Sequence, residues 1–265
     1  MRPKELSTYV RLRRIAKNPW QTLRFQRKQA EGRVHVVQLN GGPYLYLRAD
    51  RGDFEAFDRI YLQDVYRVAR PPVGGWGIVL DVGGHVGLFA ARMSRASERV
   101  ISYEPNASNF DCLTRNVAAC LNVEAVCEGV APDSGPLQLY RPTSERHSEL
   151  YSRYRESSPE LSDRYDLVPA VSLEALFERH RIDVCSLLKL DVGGFEYDIL
   201  YSAPKPVLDS IERIHTMYHP VAPGHPRMRG QALARYLEER GFSVELTREE
   251  RGVDRGRIFA RRLGF

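Results

Sequence analysis

Asp81-Val82-Gly83-Gly84-His85-Val86-Gly87-Leu88-Phe89-Ala90, with Ser102-Tyr103-Glu104-Pro105 after it, is the stretch that decides the fold. An apolar run, Gly77 to Leu80, ends in Asp81 and then in glycines. A helical pattern opens at Gly87. A second apolar run, Val100 to Tyr103, ends in Glu104. The order is strand, tight turn, helix, strand, which places a nucleoside pocket at the carboxyl edge of a parallel sheet. Glycines let the backbone approach a ligand closely. An acid at the tip of the second strand can accept hydrogen bonds from a ribose diol.

Outward from this stretch, strands and helices alternate. Strands are expected at 78–82, 100–103, 123–130, 187–192 and 211–217. Helices are expected at 86–96, 108–121, 173–180, from Tyr197, and at 230–240, where Gly241 stops the last one. Short segments at 243–246 and 257–260 can close as an antiparallel pair. Such alternation predicts an α/β fold with a mostly parallel sheet and helices on both faces. Pro71-Pro72 and Gly74-Gly75 mark a boundary, dividing the chain into 1–72 and 73–265.

The leading segment is different in character. Residues 1–33 hold ten Lys/Arg against two acids, a balance of +8, so the remainder carries −3 of the overall +5. One or two basic helices, broken at Asn18-Pro19, show a ragged apolar stripe and are expected to pack on the body. A hairpin is expected at 34–48 around Asn40-Gly41-Gly42, and a helix at 54–69. The slightly acidic body argues against a surface built to grip nucleic acid, while the arm leaves phosphates or a membrane surface open. A hydrophobic share of 43% and a charged share of 28% describe a globular chain. No apolar run is long enough to span a bilayer and no signal-peptide core is visible. Cys112, Cys120, Cys127 and Cys185 lack metal-ligand spacing, which predicts reduced thiols in a cytoplasmic protein.

A dinucleotide fingerprint counted from Gly83 would place glycines at 83, 85 and 88, where the chain has Gly, His and Leu. The fit is poor. The pattern Asp81-x-Gly83-x-His85-x-Gly87 instead resembles motif I of the S-adenosylmethionine-dependent methyltransferases. That resemblance implies S-adenosylmethionine as cofactor, with Asp81, Gly83, Gly84, His85 and Gly87 around its methionine part and Glu104, helped by Asn106, on its ribose. His85 is tolerable there because His is enriched among non-glycine residues at positive φ.

A second motif narrows the family. Ser186-Leu-Leu-Lys189-Leu-Asp191-Val-Gly193-Gly194-Phe-Glu196 resembles the signature of the FkbM methyltransferases, Leu-Leu-Lys-Ile-Asp-Val-Glu-Gly-x-Glu. Lys189, Asp191, Gly194 and Glu196 match; Gly193 stands where the family usually has Glu. The likeness runs over about residues 55–262, Tyr66 included. It implies a class I methyltransferase fold, a seven-stranded sheet with one antiparallel strand, and O-methylation of a sugar, glycan or natural product.

Asp191, at the end of a strand on the cofactor edge, is placed for catalysis or cofactor contact. Lys189 shares its strand face and suits an ion pair as readily as a catalytic set. Glu196 opens a helix, where an acid is favoured by the dipole alone. His215, Tyr218, His219 and His225 cluster after the next strand, and His219 suits a general base. Asp191, Glu196 and His219 could instead hold a divalent metal, but no tight ligand spacing supports one. Residues 140–168, polar and rich in Tyr and Arg (Tyr140, Arg141, Arg146, Tyr151, Arg153, Tyr154, Arg155, Arg164, Tyr165), read as a lid, a binding loop or a solvated insertion.

The leading expectation is an O-methyltransferase with a small-molecule or glycan acceptor. RNA methylation is the alternative, prompted by the basic arm; against it, the chain lacks the Asn/Asp-Pro-Pro-Tyr of amine methylases after Leu190. A third reading is a cofactor-binding module without turnover, prompted by Gly193.

Overall fold

Pro19 has no amide hydrogen to give a helix interior, so the N-terminal helical stretch breaks into α1 (Pro3–Ile15) and α2 (Pro19–Arg27). The computed structural model describes residues 3–27, 32–144, 148, 150–219, 221, 227–249 and 254–264. At the break, Asn18 ties the helices to the hairpin: its Nδ2 donates to the Val36 carbonyl at 2.7 Å, and its Oδ1 accepts from the Gln38 amide at 2.9 Å. The hairpin is β1 (Val34–Gln38) antiparallel to β2 (Tyr44–Arg48).

The helix expected at 54–69 is shorter. It runs as α3 (Asp53–Phe57) and one π-helical turn, Asp58–Leu62. Asp64 then takes φ 52° and turns its carboxylate to the Val68 and Ala69 amides at 3.0 and 3.2 Å. A side chain that serves the backbone in this way competes with the helix ladder.

There follow β3 (Trp76–Val82), α4 (Leu88–Met93), β4 (Ser97–Tyr103), α5 (Ala107–Val117), β5 (Val123–Val126), β6 (Gly129–Ala131), β7 (Gly135–Pro142), β8 (Leu161–Ser172), α6 (Leu173–His180), β9 (Cys185–Leu190), α7 (Glu196–Ser202), α8 (Lys205–Asp209), β10 (Arg213–Tyr218), α9 (Gly230–Glu239), β11 (Phe242–Arg248) and β12 (Gly256–Arg262). The main sheet has seven strands in the order β11-β12-β10-β9-β3-β4-β5. All neighbours pair in parallel except β12, which runs against both β10 and β11. The expected sheet, with its single reversed strand, is present.

Two further expectations change. The single strand foreseen at 123–130 splits, because the chain leaves the main sheet after Val126 and β6 joins β8 in a second sheet of order β6-β8-β7. The polar interruption at 140–168 begins and ends in the antiparallel ribbon of β7 and β8, with 143–160 between the two strands. Leu137 and Leu139 alternate inward and are buried, as one face of a half-buried strand requires.

Consecutive residues of the central strands feed opposite cores. Leu80 and Leu188 belong to one apolar cluster with Leu137, Leu176, Ile199 and Leu233. Val79 and Leu187 belong to the other, with Leu12, Leu23, Leu45, Phe54, Phe89 and Leu113. Residues from both sides of Pro72 therefore share one core. Leu12 and Leu23 are fully buried there, each worth roughly 1.5–3 kcal/mol of burial. No helix among the described residues is long and apolar enough to cross a membrane.

Candidate cofactor and acceptor site

The glycine turn after β3 is fixed from beneath. Lys189 Nζ donates to Asp81 Oδ1 at 2.8 Å and to the Gly83 carbonyl at 2.6 Å. Ser102 Oγ donates to Asp81 Oδ2 at 2.9 Å. Asp81 is fully buried with both oxygens engaged, so it shapes the turn from below the cavity. Lys189 and Asp191, although two residues apart, have different partners, and Lys189 serves the turn. From above, the Gly83 and Gly84 amides both donate to the Tyr103 carbonyl, at 3.0 and 2.9 Å.

The turn is so tight that only glycine fits at two places. A Cβ on Gly83 would lie 2.1 Å from the Asp191 carbonyl oxygen, and one on Gly84 would lie 2.3 Å from Ser102 Oγ. His85 takes φ 50°, the left-handed conformation foreseen for it.

Glu104 closes this end of the cavity. Its Oε2 accepts from the His85 amide at 2.8 Å and its Oε1 from the Asn106 amide at 3.0 Å. Burial pushes its carboxyl up to about 7, against the pull of those two amides. Asn106 contributes its backbone only; its Oδ1 caps α5 by accepting from the Asn109 amide at 2.9 Å.

Three residues at this end went unseen in the sequence. The His85 ring lies 3.1 Å from Ser148 Oγ and 3.8 Å from Asp53 Oδ1. Burial pushes the imidazole down to about 4, so it is neutral. Arg48 grips the fully buried Asp53 with Nε and Nη2, both at 3.0 Å, and reaches Asn109 Oδ1 at 2.8 Å. Arg48, Asp53 and Ser148 come from the hairpin, α3 and the insertion, and no local spacing announces their meeting.

At the other end, Asp191 follows β9. Its Oδ2 accepts from the Tyr66 hydroxyl at 2.5 Å, and its Oδ1 lies 3.5 Å from His219 Nε2. Burial alone would raise this carboxyl, but the charges of His219, Arg59 and Lys189 and the Tyr66 hydroxyl outweigh burial and hold it well below the usual carboxylate range. Burial and the Asp191 charge push the Tyr66 hydroxyl well above its ordinary value.

Glu196 is fully buried at the start of α7. Its Oε1 accepts from the His219 amide at 2.6 Å and faces His219 Nδ1 at 3.1 Å; its Oε2 accepts from the Gly194 amide at 2.9 Å. It therefore sets the position of His219 and stays off the cavity wall. Burial lowers the His219 imidazole, but the Glu196 charge and hydrogen bond and the Asp191 charge more than offset this and raise it.

The other members of the histidine cluster point elsewhere. His215 binds the Tyr66 carbonyl through Nδ1 at 2.7 Å, and the Tyr218 hydroxyl donates to the Thr247 carbonyl at 3.1 Å. His225, like Arg146 of the insertion, lies outside the described residues. Among the described residues no group of three or more His, Cys, Asp or Glu is arranged to hold a metal ion.

Gly193 has φ 61°, and a Cβ there would lie 2.9 Å from the Tyr151 carbonyl. Ser152 Oγ donates to the Gly193 carbonyl at 2.6 Å. The insertion thus occupies the space into which a side chain at 193 would grow.

One cavity joins the two ends, lined by Gly83, Gly84, His85 and Glu104 on one side and by Tyr66, Asp191 and His219 on the other. A seven-stranded sheet with one reversed strand, a glycine turn after β3 and an acid after β4 define the class I S-adenosylmethionine-dependent methyltransferases. The methyltransferase FkbM domain model matches residues 81–244, more than half of the chain, and the chain belongs to this family.

Among curated proteins it is similar to the AMB antimetabolite synthetase AmbE of Pseudomonas aeruginosa, at 26% identity over 88% of this chain. The chain spans 12% of the length of that relative. Among solved structures it is similar to a methyltransferase FkbM from Methylobacillus flagellatus (12% identity, TM-score 0.47, covering 96% of this chain and 58% of that one). It is also similar to an rRNA methylase from Streptococcus thermophilus (13%, TM-score 0.45, covering 77% and 96%).

The site suits the family's cofactor, S-adenosylmethionine. The cradle at Gly83 and Gly84 admits no Cβ, and Glu104 presents a carboxylate to the cavity beside it. Gly83, Gly84 and His85 would hold the methionine part and Glu104 the ribose.

Proposed function

We propose that the chain is an O-methyltransferase acting on a hydroxyl of a sugar, glycan or other natural product. The observation that carries this reading is His219, seated between Glu196 and Asp191 at the end of the cavity away from Glu104. When bound, S-adenosylmethionine supplies a methyl carbon on a sulfonium, open to in-line displacement by an oxygen. The residues at this end must orient that oxygen and take its proton.

A carboxylate stabilised as strongly as Asp191 is a weak base. His219 is therefore the proton acceptor, through Nε2, and Asp191 orients the hydroxyl and steadies the imidazolium that forms. Glu196 holds Nδ1 and so leaves Nε2 for the substrate. Tyr66 fixes the Asp191 carboxylate from the opposite side.

RNA is the competing acceptor, favoured by the exposed Arg13, Arg14, Lys17 and Arg24 on and beside α1 and α2. Formation of S-adenosylhomocysteine with hydroxylated small molecules and with RNA, followed by mass spectrometry of the product, separates the two. Methyl groups recovered on RNA bases and on no small molecule would sink the proposal.

A further inference from the structure

No residue of α1 or α2 lines the cavity, yet the two helices present a patterned outer surface. Leu12 of α1 and Leu23 of α2 are buried in the core, and Asn18 between the helices is bonded to the hairpin, so the pair is held on the body. The other side of α1 carries Leu6, Val10, Arg13 and Arg14, all exposed. At 3.6 residues per turn these four fall in one arc of about 100°, in the angular order Arg13, Leu6, Val10, Arg14. Two apolar side chains thus form the centre of the face, with a guanidinium on each flank.

Trp20, at the start of α2, extends the apolar centre. Its ring meets that of Tyr9 edge to face, with centroids 6.0 Å apart. Leu6, Val10 and Trp20 are 52%, 45% and 47% exposed, a large apolar outlay for a surface that covers nothing else. Lys17 and Arg24 are exposed as well. The single acid in the two helices is Glu5, which falls on the inward arc of α1, so no carboxylate shares the outward face.

Two polyanions suit exposed cations, and the apolar centre chooses between them. RNA would take the cations and stack a base on Trp20, leaving Leu6 and Val10 in water. A lipid surface takes both kinds of side chain: the apolar ones enter the boundary between headgroups and acyl chains, and the cations lie among the phosphates. We propose that the outward face of α1 and α2 docks the protein on a bilayer with anionic headgroups. Tryptophan is favoured at that depth. The helices lie along the surface, since the 13 residues of α1 reach about 20 Å against a hydrocarbon core of roughly 30 Å.

Sedimentation of the full chain with vesicles tests this, comparing phosphatidylserine–phosphatidylcholine with phosphatidylcholine alone. Binding is expected on the anionic vesicles only, and salt should weaken it. The other tryptophan, Trp76, is buried, so a blue shift of emission on binding reports Trp20 and should vanish in Trp20→Phe. Arg13→Gln and Arg14→Gln should each lower the partition coefficient roughly fivefold. Val10→Asp, which places a charge in the apolar centre, should lower it roughly tenfold or more. An unchanged melting temperature in each variant shows that the fold is intact. Failure to bind anionic vesicles overturns the proposal, and so does equal binding to both kinds. Vesicle binding that Arg13→Gln, Arg14→Gln and Val10→Asp all leave unchanged places the contact elsewhere and overturns it too. RNA binding that the arginine variants weaken and Val10→Asp does not, without vesicle binding, would assign the surface to RNA instead.

Discussion

At the cofactor end the turn is built from neighbouring positions and their backbone: glycines 83 and 84, and the His85 and Asn106 amides that Glu104 receives. At the acceptor end the wall is side chains from four separate segments: Arg59 and Tyr66 from the N-terminal third, Asp191 after β9, His219 after β10, and Arg255 before β12. A turn built on backbone contacts needs particular residues at fixed neighbouring positions. A wall of side chains can change its specificity without disturbing the sheet beneath it. The comparison predicts that substitutions at the two ends separate into binding effects and turnover effects.

The largest separation is expected at His219 and Asp191. His219→Gln and Asp191→Asn should each lower the rate of methyl transfer by roughly 10²–10⁴ while cofactor affinity by calorimetry stays close to that of the parent. A comparable loss of cofactor affinity would erase the distinction between the two ends.

Glu104→Ala is expected to do the reverse, weakening S-adenosylmethionine binding by roughly ten- to a hundredfold, as removal of a charged hydrogen-bond partner does. Glu104 also marks stability. Its folded value, about 7, lies above the 4.5 of an unfolded carboxyl, so the folded chain holds this proton more tightly. The contribution is full below pH 4.5 and is lost as pH rises through 7, on the order of 3 kcal/mol in all. The melting temperature of the cofactor-free protein, relative to Glu104→Gln, should therefore fall between pH 5 and 8; a constant difference would contradict the burial argument.

The third effect is a shift of the pH profile. The raised His219 imidazole must lose its proton to act as a base, so kcat should climb with pH through a midpoint above the ordinary 6.5 of histidine. Glu196→Gln removes the charge that raises it and should move that midpoint down. A midpoint that stays put would remove Glu196 from its positioning role.

The smallest effect is expected at Gly193. Gly193→Ala places a side chain at φ 61° and 2.9 Å from the Tyr151 carbonyl, and should cost about 1–2 kcal/mol by chemical denaturation, with cofactor affinity little changed.

The same contrast governs what the sequence disclosed. The turn from Gly83 to Gly87, Glu104 and the alternation of strands with helices were legible because local backbone geometry demands those residue types close together. The left-handed φ of His85 was foreseen on the same ground. Asp81 and Asn106 were placed in the right region, but their side chains serve the turn and the α5 cap. Arg48, Asp53, Arg59 and Ser148 were invisible, since their meeting depends on how the first 60 residues and the insertion fold over the sheet. The β7–β8 ribbon did leave a trace. Leu137 and Leu139 alternate with Gln138 and Tyr140 at the strand period, but the charged run beyond them hid it.

The ammonium of Lys189, tied to Asp81 and to the Gly83 carbonyl, has one further consequence. The cradle is braced by the protein's own groups, with no guest needed to complete these contacts. Arrival and departure of the methyl donor then require no ordering or collapse of this turn.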